Sequence, residues 1–140
     1  MKNAKFIFLL MLLAVSSHCM YSQKRDSLDS VFEINFAALD SVVRGEKQIR
    51  QLTTEQNAFM YLIDSWSGSN LMVNFTGHLQ FTKKDISNWR TWYREHSRSI
   101  YAEDFHKTIE VYSSFFKTGF ISDKEIEYLE MVSKKYHSTK

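Results

Sequence analysis
Three histidines, His78, His96 and His106, come nearest to a chemical signature in the body of the chain. A zinc site needs three or four such ligands, and a hydrolytic site needs a base beside a nucleophile or carboxylate. The spacings of these histidines match no metal-ligand motif. His96 falls within an aromatic helix face, where a histidine is more often hydrogen-bonded and partly buried than a base or ligand. His106 falls on the polar side of its helix. Asp104 beside Glu103 opens a helix, where acidic charge complements the helix dipole. The sequence holds no G-x-S-x-G, Gly-rich phosphate loop, H-E-x-x-H or C-x-x-C. The residues therefore imply no catalytic set, no metal and no cofactor. The enzymatic alternative is an envelope hydrolase using His96 or His78 with a nearby carboxylate. It requires these side chains to converge in a cleft.

Recognition chemistry is better represented. At roughly 100° per residue, Lys83, Arg90, Arg94 and Arg98 fall side by side on one flank of a helix. Either these cations find carboxylates on neighbouring helices, or they form a site for an acidic partner. Guanidinium forks suit carboxylates and phosphates. Met72, Phe75 and His78 belong to a second candidate surface. They lie in a stretch, residues 67–81, that lacks a helical pattern yet carries Leu71, Met72, Val73, Phe75, Leu79 and Phe81. Connections of that length are uncommon unless structured or functional. A small hairpin turning at Thr76–Gly77, a short helix capped by Asn70, and an exposed recognition loop are all compatible with it.

The basic flank is positioned by a helix over residues 82–98. Thr82 is its N-cap and Asp85 answers it, while Phe81 and Ile86 have the spacing of a hydrophobic staple. Ile86, Trp89, Trp92, Tyr93 and His96 occupy one arc about 120° wide, which reads as core. Residues 27–44 form an earlier helix with Gly45 as its C-terminal cap. The alternation of Phe32, Ile34 and Phe36 offers a strand start as the alternative. After a polar connector, Thr53 and Gln56 form a capping box for a second helix. Ala58, Phe59, Leu62, Ile63 and Trp66 are its buried stripe and Gly68 is its stop. A helix over 104–117 carries a broad apolar arc and is expected to be the most central element, with Gly119 ending it. Ser122 with Glu125, and Ile121 with Ile126, open a last, outer helix.

The N-terminus reads as an address. Lys2 and Lys5 precede the apolar run 6–15, and small residues follow it. That is the pattern of a secretory signal peptide over residues 1–22, cleaved after Cys19 or Ser22 and too short to span a bilayer. Cys19 lacks the small residue and the leucine a lipobox places before it. A lipid anchor through Cys19 is thus the minority reading. The leader holds two of the 18 Lys and Arg and none of the 16 Asp and Glu, so 16 bases remain against 16 acids. That balance argues against nucleic-acid binding. Beyond Cys19 there is no cysteine, so the mature chain has no internal disulfide and depends on its core. The absence of Pro suits helices.

Thr76-Gly77 followed by Asp85-Ile86-Ser87-Asn88-Trp89-Arg90-Thr91-Trp92-Tyr93 resembles a TG…DxxxWxxWY segment. It is associated with small exported, largely uncharacterised bacterial proteins, and the leader ending in Tyr21-Ser22-Gln23 is similar to those of Bacteroidetes. The resemblance covers about 20 residues. It implies export and packing, and no catalytic residue. Asp26-Ser27-Leu28 and Asp40-Ser41-Val42 are similar to sites that such bacteria O-glycosylate in exported proteins.

The expected fold is all-α: residues 23–140 as a single bundle of four to five amphipathic helices, with room for a small β-hairpin at 71–81. The expected function is that of an exported, non-enzymatic protein of the periplasm or cell envelope. It would bind a partner protein as an inhibitor or immunity-type neutraliser, or else serve as a lipid-anchored structural component.

Overall fold
The computed structural model describes residues 27–71 and 80–137. The leader, Cys19, the hairpin expected at 71–81, and Met72, Phe75 and His78 lie outside the described residues, except for the edges of that stretch. Among the described residues the chain is all-helical: five α-helices and no strand. They are α1 (residues 27–43), α2 (Thr54–Ser67), α3 (Lys83–His96), α4 (Ala102–Thr118) and α5 (Asp123–His137). Short 3-10 turns at Ile49–Gln51 and Ser97–Ser99 fill two of the connections. No helix among the described residues is long and apolar enough to cross a membrane.

Two compact units divide the chain, Met1–Phe32 and Glu33–Lys140. In the first, described residues 27–32 are helical, with Leu28 and Phe32 buried. In the second, α2 packs on α3, α4 and α5.

The helix boundaries follow local chemistry. Thr53 Oγ1 accepts from the Gln56 amide at 3.1 Å while Gln56 Oε1 accepts from the Thr53 amide at 3.0 Å, closing a capping box at the start of α2. Ser122 and Glu125 do the same for α5. The alternation at Phe32, Ile34 and Phe36 resolves as a helix. Phe36 and Leu39 are buried there, and Ile34 is 63% exposed.

The expectation that α4 is the most central element is corrected. The centre is α2, which buries Ala58, Phe59, Met60, Leu62, Ile63 and Trp66. In α4 only Phe105, Thr108, Val111 and Ser113 are buried, and Phe115 is exposed. The broad arc of α4 is wider than its neighbours can cover. α2 packs on α3, α4 and α5, and its Phe59 meets Phe36 of α1 edge-on at 5.2 Å, so it is covered on more than one side and Met60, outside its expected stripe, is buried too.

Gly68 ends α2 in the left-handed region (φ +69°), where its amide reaches the carbonyls of Asp64 and Ser65. A Cβ at Gly68 would collide with the imidazole of His137, at the end of α5, whereas Gly119 (φ +70°) opens onto empty space. Gly119→Ala should therefore cost about 1–2 kcal/mol from backbone strain alone. Gly68→Ala should cost visibly more, and His137→Ala in that background should return it to the Gly119→Ala value. Urea titrations of these three variants and the wild type check this. Equal losses for the two glycine variants would mean that His137 does not seat on this turn.

Candidate functional site
The basic edge is built on α3, and α3 is fixed by its opposite face. Thr82 Oγ1 accepts from the Asp85 amide at 3.4 Å, and Asp85 Oδ2 accepts from the Thr82 amide at 2.7 Å. Phe81 leans on Trp89 with ring centroids 5.9 Å apart. Trp89 is fully buried, and its indole N–H donates to Ser69 Oγ at 2.8 Å. Ile86 and Tyr93 complete the buried stripe, with Tyr93 set against Phe36 of α1 at 6.5 Å.

Along the edge the four cations divide into two kinds. Arg90 faces inward: Nη1 donates to Glu33 Oε2 at 2.5 Å, Nη2 donates to Asp40 Oδ2 at 2.8 Å, and the guanidinium lies 4.8 Å from the centroid of Phe36. Its side chain is 29% exposed, so this fork ties α3 to α1 in partly desolvated surroundings. An ion pair of that kind is worth more than an exposed one. Lys83, Arg94 and Arg98 face outward. Arg94 donates to Thr91 Oγ1 at 3.2 Å. Among the described residues none of these three forms an ion pair. The structure thus places Lys83, Arg90 and Arg94 on one helix and Arg98 in the following 3-10 turn, with Arg90 engaged inside the protein.

Trp92 and His96 sit at the rim of the aromatic face, half-buried instead of in the core. Their rings stack at 4.9 Å and 14°, and His96 Nδ1 lies 2.8 Å from the Trp92 carbonyl. His106 is exposed on α4 beside the Phe105 ring and lines a groove with Glu110, Ser113 and Lys117. Ser113 lies seven residues from His106, about 10 Å along the helix axis, so the two do not form a nucleophile–base pair. Among the described residues no three His, Cys, Asp or Glu side chains stand close enough to share a metal ion. Asp40-Ser41-Val42 lies within α1, with Asp40 on Arg90 and Ser41 Oγ donating to the Ala37 carbonyl at 3.1 Å.

Two polar clusters escaped the sequence reading. Asp104 Oδ2 accepts from Lys135 Nζ at 2.6 Å and from Tyr136 Oη at 2.7 Å, and Tyr136 Oη in turn accepts the Tyr101 amide at 3.1 Å. Burial pushes the Asp104 carboxyl up, but the hydrogen bonds from Lys135 and Tyr136 and the lysine charges outweigh it. The net position is below the usual carboxylate range. Asp64 is the opposite case. Burial raises its carboxyl, the Leu71 N–H bonded at 3.1 Å lowers it, and the Asp85 charge raises it again, leaving it high. Both clusters join residues whose types gave no local signal. Their functional weight is structural: each ties a helix end to a neighbouring element.

No protein-family model matches the chain, and neither curated proteins nor solved structures give a significant match.

Proposed function
We propose that this is an exported, non-enzymatic protein of the cell envelope that acts by capturing a partner protein, as an inhibitor or immunity-type neutraliser does. The supporting observation is the outward edge of α3. Lys83 and Arg94 of α3 and Arg98 of the following 3-10 turn stand exposed, without ion pairs among the described residues, and α3 is anchored by buried Ile86, Trp89 and Tyr93. A row of cations on an anchored backbone suits an acidic face on the partner: the charges are complementary, and docking orders side chains but no backbone. Export rests on the leader pattern, and the resemblance to small exported bacterial proteins agrees with it.

The test is charge reversal at Lys83→Glu, Arg94→Glu and Arg98→Glu together. Capture of the partner from the envelope fraction of the source cells, read by mass spectrometry, should be lost while the thermal melt is unchanged. Arg90 is left intact, because Arg90→Glu would place a third carboxylate beside Glu33 and Asp40 and loosen α3 from α1. A triple variant that still captures a stoichiometric partner removes this edge from the proposal.

A further inference from the structure
The turn that leaves α2 is tied back to the helix by two different bonds to one residue. The Asp64 carbonyl accepts the Ser69 amide at 3.1 Å, and Asp64 Oδ1 accepts the Leu71 amide at 3.1 Å. The turn is also held from α3, where the Trp89 indole N–H donates to Ser69 Oγ at 2.8 Å. Of these three acceptors only the carboxylate can change its charge. Ser69 is thus fixed through neutral groups, and Leu71 through a titratable one.

The placement of that carboxylate works against its charge. Asp64 stands in the last turn of α2, at the negative end of the helix dipole. It is half-buried, and burial disfavours an ionised carboxyl. Burial is the largest influence on it, the Leu71 N–H opposes burial, and the like charge of Asp85 on α3 reinforces it. The carboxyl is held above its ordinary range as a result.

Other titratable groups stand around this end of α2. Tyr61 of α2 and Tyr112 of α4 lie near enough to feel the Asp64 charge, and burial pushes both phenols up, so they stay neutral in acid. His137 of α5 sits over Gly68. Asp104, at the start of α4, is held below the ordinary carboxylate range. Mild acid therefore reaches Asp64 while Asp104 keeps its bonds to Lys135 and Tyr136.

We propose that Asp64 is an acid-sensitive latch on Leu71: its carboxylate holds the Leu71 N–H against the end of α2, and uptake of a proton slackens that bond while Ser69 keeps the turn in place. A hydrogen bond to a charged acceptor is roughly twice as strong as one to a neutral acceptor, so the latch has two settings within one fold.

The test is a titration of the isotopically labelled protein from neutral pH into mild acid, followed by amide and indole resonances. The Leu71 amide proton should move upfield in a single step, with a midpoint above the ordinary aspartate value of about 3.9. Its exchange with solvent, corrected for the intrinsic pH dependence, should quicken about fivefold across that step, as a charged acceptor becomes a neutral one. The Trp89 indole N–H, bonded to Ser69, should not follow. Asp64→Asn keeps a neutral acceptor at the same place, so the step at Leu71 should vanish. A Leu71 amide that does not titrate, or whose midpoint lies at or below the ordinary value, overturns the latch. So does a step that survives Asp64→Asn, which would belong to Asp85 or His137. An indole signal moving in step with Leu71 would mean that the whole turn opens, and overturns a latch confined to Leu71. These readings involve neither a partner nor the α3 edge, so their failure would not bear on partner capture.

Discussion
Trp66→Ala is expected to lower the unfolding free energy by about 3–5 kcal/mol. Trp66 stands in the last turn of α2, 1% exposed, with its ring centroid 4.3 Å from that of Tyr136 on α5. Truncation removes most of an indole from a contact joining the central helix to the C-terminal one, and leaves a cavity that two packed helices can only partly close. The sequence holds a single cysteine, so no internal disulfide holds the chain if the core loosens. A domain of this size has roughly 5–15 kcal/mol in total, so the variant should sit near its folding threshold. Urea unfolding followed by far-UV circular dichroism gives the difference, and Trp66→Phe should recover more than half of it. A loss under about 1 kcal/mol would show that α5 is not docked through this contact.

Asp104→Asn is expected to destabilise the protein by about 2 kcal/mol at neutral pH, since it weakens two charge-assisted hydrogen bonds at once. Lys135 Nζ would lose its carboxylate at 2.6 Å and Tyr136 Oη its strongest acceptor at 2.7 Å, while Lys135 kept its place over the Tyr101 ring at 4.3 Å. The pH dependence has a fixed sign. The Asp104 carboxyl is held below its ordinary value in the folded chain, despite burial pushing it up, by Lys135 and Tyr136. A carboxylate depressed by folding stabilises the native state above the unfolded value of about 3.9, and that contribution disappears as pH falls through the folded value. Wild type and Asp104→Asn should therefore differ fully at pH 7 and converge in acid, well below pH 4. Melting temperatures of the two proteins across that interval decide it. A difference that persists undiminished at low pH would assign the loss to packing instead of charge.

These expectations separate what could be read locally from what could not. The caps at Thr53–Gln56, Thr82–Asp85 and Ser122–Glu125 join residues three apart. The helix stops at Gly45, Gly68 and Gly119 take positive φ for want of a Cβ. Such signals lie within one turn of the chain, so helix starts and stops were legible, as were most of the buried stripe of α2 and the cationic row of α3. Even locally, however, Phe32, Ile34 and Phe36 left two readings open, because alternation fits a strand as well as one face of a helix.

The sequence by itself determined the helices of the described residues, most of their starts and stops, and which side chains could carry recognition. Only the tertiary structure decided which of those side chains remain available. Arg90 is drawn inward by Glu33 and Asp40, 57 and 50 positions away, and Asp104 is paired with Lys135 and Tyr136, 31 and 32 positions away. The same packing made α2 central and left Ser113 buried but unpaired. Each of these outcomes depends on which helix faces which. That is set by the fit of whole apolar surfaces against one another, and no window of local sequence contains it.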